Sequence, residues 1–283
     1  MLLDPLIVKL ESSERLNALG RTLSNAFAAV VRPGPVKDLV SGPWLGHPVH
    51  PMLTDVPFGF WTGSFVLDVL GGEDAQKGSE ILVGLGTLAA VPTAVTGLSD
   101  LSDVVGKPER SIGSLHALGN TSALLLYAMS YLARRRGNQA MGKGLGLLGA
   151  ATATASAYLG GHLVYRKGIG PNQAAFETVP KRWTAVLGDD ELVEGKPQRV
   201  WVEGTGVFLL RQGGAIHALA NRCSHRGGPL NKGSVGDGTV TCPWHLSRFR
   251  LEDGSIVQGP ATSPQPAYDV RVQEGEIEVR ARA

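Results

Sequence analysis

Hydrophobic and polar positions divide this chain near residue 166: apolar residues run in long blocks before it and alternate with polar ones over short stretches after it. Four early blocks, Leu53–Leu70, Ile81–Ser99, Ile112–Ala133 and Gly144–Tyr165, reach the roughly 17–25 residues that cross a bilayer. Asp55 and Asp68 sit near the ends of the first block, the second has no charge, and the third and fourth carry one histidine each, His116 and His162. A soluble bundle would show one polar face per helix, whereas polar residues are sparse here. The second and fourth blocks are rich in Gly, Ala, Ser and Thr, and Gly142 and Gly146 stand at the spacing that lets membrane helices approach closely. Short charged connections, Gly71–Gly78, Leu101–Ser111 and Arg134–Lys143, complete the pattern of a four-helix transmembrane bundle.

Upstream, Leu16, Leu19, Leu23, Phe27 and Val30 recur at steps of three and four, predicting an amphipathic packing helix that Pro33-Gly34-Pro35 ends. Asp4, Lys9, Glu11 and Glu14 interrupt any apolar core of a cleavable signal, and Trp44 stands where an interfacial aromatic is expected. Downstream, Val200–Val202, Gly206–Leu210, Ile216–Ala220, Val240–Cys242, Arg248–Leu251 and Tyr268–Val272 alternate between Gly-rich turns and predict short antiparallel strands. The expected organisation is α + β in separate domains: a lead-in over 1–52, a membrane domain over 53–165, a linker over 166–180 and a small all-β domain over 181–283.

The 283 residues allow two domains, and the net charge of +2 gives no reason to expect a nucleic acid partner. Chemistry concentrates at the only two cysteines. Cys223-Ser224-His225 and Cys242-Pro243-Trp244-His245 offer two thiolates and two imidazoles. A Cys₂His₂ zinc site uses the same donors, but zinc fingers usually place Cys near Cys and His near His. Here each knuckle holds one of each, as a [2Fe–2S] centre with Cys₂ on one iron and His₂ on the other requires. His217 alternates with apolar neighbours and reads as a structural strand residue.

The stretches Arg222–Leu230 and Cys242–Phe249 resemble the two cluster loops of the Rieske family. The resemblance implies a [2Fe–2S] cluster held by Cys223, His225, Cys242 and His245 at the tip of a small antiparallel β fold. It also implies that Gly228 and Trp244 stand where the high-potential branch has a disulfide, and Phe249 where that branch has a hydrogen-bonding tyrosine. Ser247 stands where the family's hydroxyl reaches a bridging sulfide. Hydrogen bonds to sulfur raise the potential, so these departures point to the low-potential, ferredoxin-like branch. Leu246 replaces a residue that is often glycine. Separately, Gly46-His47-Pro48-Val49-His50-Pro51, Gly97 with Asp100, His116 and Gly160–Gly168 resemble the prokaryotic membrane domain called domain of unknown function 2231, some members of which carry a C-terminal Rieske domain.

In an up-down bundle, His47, His50, Asp100, His116 and His162 fall on the side from which the C-terminal domain hangs. Intramembrane ionisable groups usually mark function. Two readings stand beside each other: structural histidines bonded to neighbours such as Asn120, or ligands of a b-type haem, a metal ion or a quinone pocket. His116 and His162 have matched depths and form the expected haem pair, with His47 and His50 as alternative ligands. Arg134-Arg135-Arg136 with Lys143 would place the opposite loop in the cytoplasm, while Lys37, Lys107, Arg110, Arg166, Lys167, Lys181 and Arg182 favour a cytoplasmic cluster, the side preferred here. The expected function is a multi-pass membrane-anchored electron carrier exchanging electrons with a redox partner protein or quinone. The alternative is a component of an oxidoreductase or oxygenase whose metal is bound by His47, His50, Asp55, His116 and His162. An oxygenase catalytic subunit in its usual form, with a further soluble domain holding a 2-His-1-carboxylate iron, is not expected, since Ala283 follows soon after His245.

Overall fold

The computed structural model describes residues 4–282, which divide into two units, one reaching to residue 31 and taking in 49–169, the other made of 32–48 and the chain from residue 170 onward. In the first unit, α1 (Asp4–Glu11) and α2 (Glu14–Val30) pack on the later helices. Ser13 caps α2 by accepting the Leu16 N–H at 3.3 Å. Its inward face centres on Asn17 and Gly20, and Gly20 lies so close to Arg110 and Ser114 that an added Cβ would clash. The amphipathic segment is therefore a packing helix. The other helices are α4 (Val49–Leu70), α5 (Gln76–Ser102), α6 (Lys107–Arg135) and α7 (Gln139–Gly161); α3 (Pro35–Ser41) belongs to the second unit.

Helices α4 to α7 cover the four apolar blocks, but among the described residues only α5 is long and apolar enough to cross a membrane. Four helices thus stand where four spans are expected, and one of them is a clear span candidate. Asp55 and Asp68 lie within α4, α6 begins and ends on charged residues, and glycine and hydroxyl residues lower the hydropathy of α6 and α7. Ser79, Ser99, Ser111, Ser114, Ser130 and Ser156 are buried beside Trp61, Val83, Ile112 and Tyr127, while Phe65, Val69, Leu85, Leu88, Leu125, Leu132, Leu147 and Leu148 face outward.

The two helix pairs are also built alike. His50, Trp61, Ser64 and Asp68 of α4 each precede by 66 positions His116, Tyr127, Ser130 and Arg134 of α6. Gly86, Ala90, Thr93 and Gly97 of α5 likewise precede by 63 positions Gly149, Ala153, Ser156 and Gly160 of α7. The contacts repeat with the sequence. Gly86 makes room for the Trp61 ring and Gly149 for the Tyr127 ring; Gly97 makes room for His50 and Gly160 for His116. Equivalent positions then meet each other. Trp61 stacks on Tyr127 with centroids 4.0 Å apart and planes at 7°. Asp68 receives Arg134 in two bonds, of 2.8 and 2.6 Å. Arg134, expected in the basic loop, is instead 2% exposed inside the helices.

The second unit holds ten strands among the described residues: β1 (Thr184–Gly188), β2 (Gln198–Val202), β3 (Thr205–Gln212), β4 (Ala215–Ala220), β5 (Ser234–Gly236), β6 (Thr239–Thr241), β7 (Arg248–Arg250), β8 (Ile256–Gln258), β9 (Tyr268–Gln273) and β10 (Glu276–Ala281). They form three antiparallel sheets, β1-β10-β9, β2-β3-β4 and β5-β6-β7-β8. Strand β3 is buried on both faces. Val207 and Leu209 enter a core with Val200, Ile277 and Val279, while Phe208 and Leu210 enter one with Val240, Phe249 and both cysteines. Alternation places these pairs on opposite faces, and the second core fixes the base of the cysteine loops. Residues expected to form a loose linker are stapled here, with Gln173 N–H donating to Ser224 O at 2.8 Å and Tyr268 Oη to Glu177 O at 3.1 Å.

Candidate metal centre

Two loops carry the expected ligands, the first running from β4 through Leu230 and the second joining β6 to β7. The first is closed by Cys223 N–H donating to Gly228 O at 2.9 Å and Gly227 N–H to Cys223 O at 2.8 Å, with Gly227 at φ +77°. The second is closed by Cys242 N–H to Ser247 O at 2.8 Å and Leu246 N–H to Cys242 O at 3.1 Å. Leu246 has φ +62°. That left-handed conformation costs a side-chain-bearing residue about 1–2 kcal/mol, which accounts for glycine being frequent there.

The loops bring the donors together in two pairs. Cys223 and Cys242 are 1% and 2% exposed and lie within hydrogen-bonding reach of each other. His225 and His245 stand edge to face with centroids 5.0 Å apart, and both are half-buried. The hydrogen bond from Cys223, together with the Trp244 and His245 backbone N–H groups, outweighs burial and brings the Cys242 thiol down to about 7. The bond to Cys242, burial and like charge push Cys223 up. Burial, then repulsion by Arg226, His245 and Lys37, holds His225 well below the ordinary imidazole range. A neutral imidazole and a readily ionised thiol are the forms that bind metal. Among the described residues no three His, Cys, Asp or Glu side chains converge on a single ion. The donors divide instead into a thiol pair and an imidazole pair, which fits a two-iron cluster.

The surrounding residues fit the same group. A Cβ on Gly228 would lie 2.8 Å from Cys242 Sγ and 3.1 Å from Trp244 Cγ, so positions 228 and 244 face each other and the indole fills the space between them. Ser247 is fully buried, and its oxygen accepts the Ala261 N–H at 3.0 Å. That bond leaves the hydroxyl proton for donation. Phe249 is buried in the core with no donor to offer.

Three bracing residues escaped the sequence reading. Gln265, 1% exposed, donates to Ala220 O at 2.7 Å and Arg222 O at 2.6 Å and accepts Ser224 N–H at 3.0 Å. Its place between Pro264 and Pro266 was the one available signal. Asn221 Oδ1 accepts Asn231 N–H at 2.9 Å, and Asp38 Oδ1 accepts Gly259 N–H at 2.9 Å from far away in sequence.

The structure does not bring the expected bundle pair together. His116 places Nδ1 2.8 Å from Ser156 O and Nε2 3.0 Å from Asn120 Nδ2. His162 opens a π-helical turn, and its Nε2 contacts Glu11 Oε1 at 2.9 Å, with Lys167 on the same oxygen at 2.8 Å. Partial burial opposes the Glu11 carboxylate, but hydrogen bonds from Lys167 and His162 hold it below its ordinary range. His162 is thus tied to α1 and not to His116. His47, exposed, lies in the second unit beside Pro48 O at 3.3 Å. His50 is the residue equivalent to His116, with Nδ1 3.0 Å from Thr93 O. Asp55 joins no metal-holding group. His217 lies in β4 opposite Leu210, the structural place expected.

Comparison with known proteins agrees with both halves. The Rieske [2Fe-2S] domain family matches residues 182–269, and the family described as predicted membrane protein (DUF2231) matches residues 46–173. Apoptosis-inducing factor 3 of Homo sapiens is 32% identical over 97 residues, 34% of this chain and 16% of that protein. The 3-phenylpropionate/cinnamic acid dioxygenase ferredoxin subunit of Escherichia coli K12 is 38% identical over 72 residues, 25% of this chain and 68% of that subunit. The solved ferredoxin of carbazole 1,9a-dioxygenase from Nocardioides aromaticivorans IC177 is 32% identical, covering 35% of this chain and 98% of that one, with a TM-score of 0.34.

Proposed function

We propose, from the chain's membership of the Rieske [2Fe-2S] domain family over residues 182–269 and of the predicted membrane protein family DUF2231 over residues 46–173, that it is a membrane-anchored one-electron carrier. The observation that carries this reading is the division of donors, two buried thiols inside and two half-buried imidazoles outside. A [2Fe–2S] cluster held by Cys223, His225, Cys242 and His245 supplies reversible uptake of one electron. Cys223 and Cys242 anchor its inner side to the core, while His225 and His245 carry its outer side to the surface. Trp244 and Leu246, 45% and 46% exposed, form an apolar rim beside those imidazoles on which a redox protein docks. A dioxygenase component is the chemical kind of partner suggested by the Escherichia coli relative's name.

The Trp244 ring facing Gly228 and the donorless Phe249 support a low potential, and the Ser247 hydroxyl, its proton left free to donate, would moderate it by hydrogen-bonding to the cluster. Redox titration of the detergent-solubilised protein, followed by electron paramagnetic resonance, is expected to place the midpoint in the lower part of the range of roughly −150 to +300 mV. A midpoint near the top would refute this assignment of what sets the potential. The buried serines and outward-facing apolar residues of α4 to α7 support multi-pass anchoring, and burial of Arg134 removes one basic residue from the case for an external cluster, which favours the cytoplasmic side.

A second reading concerns the bundle and is favoured by one repeated geometry. His50 and His116 each direct Nδ1 at a carbonyl oxygen of the neighbouring helix, Thr93 O and Ser156 O. A carbonyl only accepts, so Nδ1 carries the proton of the neutral ring. At His116 the Nε2 lone pair faces Asn120 Nδ2 at 3.0 Å, so a b-type haem held by this pair would have to displace that amide. Protein produced with ample haem should then show a Soret band that His50→Ala and His116→Ala remove and His162→Ala preserves. A loaded iron–sulfur cluster without any Soret band would reduce the bundle to an anchor.

A further inference from the structure

Residues 32–48 precede the first long helix yet belong to the same compact unit as the cluster loops. Their helix α3 starts at Pro35 after Gly34 and stops at Gly42, whose φ of +102° suits a glycine at a helix end. Trp44 Nε1 closes the segment by donating to Leu39 O at 3.1 Å. Two neighbouring side chains point inward from it. Asp38 Oδ1 accepts the Gly259 N–H at 2.9 Å, and Pro43 packs so tightly on Gly259 that an added Cβ would lie 3.0 Å from its Cγ. Two residues later, Ala261 N–H donates to Ser247 Oγ at 3.0 Å inside the second cluster loop.

We propose that this strap sets the reduction potential of the cluster, with Asp38 acting as a positioning residue for Ser247 through Gly259–Ala261. The proposal rests on the Rieske reading. Reduction adds one negative charge to the cluster, and a hydroxyl proton directed at a sulfide would stabilise that charge. Ser247 can aim its proton at a sulfide only while Ala261 N–H holds its oxygen, and the backbone that presents Ala261 is tied at Gly259 by Asp38. A rim segment far upstream in sequence thereby joins the machinery of the cluster.

The test is the midpoint potential of full-length, detergent-solubilised variants that match the parent in iron and labile sulfide. The exposed control Lys196→Gln is expected to stay at the parent value. Asp38→Ala removes a carboxylate, which by charge alone would raise the potential, and is expected to weaken reduction about tenfold, a fall of about 59 mV for one electron, by loosening Ser247. Asp38→Asn keeps an oxygen acceptor and stays at or above the parent. In a Ser247→Ala background, Asp38→Ala produces no further fall. An unshifted potential in fully loaded Asp38→Ala overturns the proposal and leaves the Rieske reading intact. Loss of the cluster from Asp38→Asn overturns it too, because a contact that only positions Ser247 is not needed for assembly. A parent without iron and sulfide refutes the Rieske reading itself.

Discussion

Replacing Cys242 by serine is expected to leave the purified protein without iron or labile sulfide and to abolish its visible absorption. The thiol is one of two inner donors, 2% exposed, and its neighbours hold it near an ionisation of about 7 so that a thiolate forms readily. Serine keeps the shape of the loop but offers a poorly ionised hydroxyl to iron. Cys223→Ser, His225→Ala and His245→Ala are expected to have the same outcome, because each iron has only two protein donors. The fold should largely survive. The core of Val200, Val207, Leu209, Ile277 and Val279 lies on the face of β3 away from the cysteines, and Gln265 holds the first loop through backbone atoms. Metal and sulfide analysis beside far-ultraviolet circular dichroism checks both parts. A folded Cys242→Ser protein that retains a full complement of iron and sulfide would contradict the ligand assignment.

Arg134→Met is expected to destabilise the helical unit by about 3–5 kcal/mol, the cost of stranding one member of a buried ion pair. Arg134 is 2% exposed, bonds Asp68 in a two-point clamp and donates also to Ser79 Oγ at 2.9 Å and Ser130 Oγ at 3.2 Å. Its removal leaves the Asp68 carboxylate with only Ser79 Oγ, at 2.7 Å, and the neighbouring Lys143, whose ammonium donates to the Asp68 carbonyl at 3.1 Å. Asp68→Asn breaks the same pair from the other side. Because these residues are equivalent positions of the two helix pairs, the exchange Asp68→Arg with Arg134→Asp should recover much of the loss. Denaturant or thermal unfolding of the helical signal in detergent measures this. Equal stability of Arg134→Met and the parent would contradict the pairing.

The cluster loops were legible because iron ligation constrains residue type and close spacing together: two Cys–His knuckles with Gly and Pro flanks leave few alternatives. The helices were legible as apolar blocks, and β2, β3 and β4 as alternating runs. Strands β5 and β8 were not, being only three residues each; β1 lacks alternating charge, and β10 went unread although Ile277, Val279 and Ala281 alternate with charged residues along it. Of the four apolar blocks, α5 alone among the described residues is long and apolar enough to cross a membrane, because Asp55, Asp68, Arg134 and many hydroxyl residues lower the hydropathy of the others. His116 and His162 were paired by depth along their helices, a coordinate that carries no information about azimuth. The structure turns His162 to Glu11 and gives His116 its counterpart in His50. That relation was present in the sequence as a 66-residue offset, but few side chains are identical across it, so it became visible only through matched contacts. Asp38, Asn221 and Gln265 act through backbone atoms of distant residues, which no local spacing records.

The central claim is that residues 182–269 hold a two-iron, two-sulfide cluster through a thiol pair and an imidazole pair. The most direct test is the iron, acid-labile sulfide and zinc content of freshly purified, anaerobically handled protein. Iron and labile sulfide are each expected to approach two per chain, following the stoichiometry of such centres, with zinc at background. Stoichiometric zinc with no labile sulfide would contradict the account.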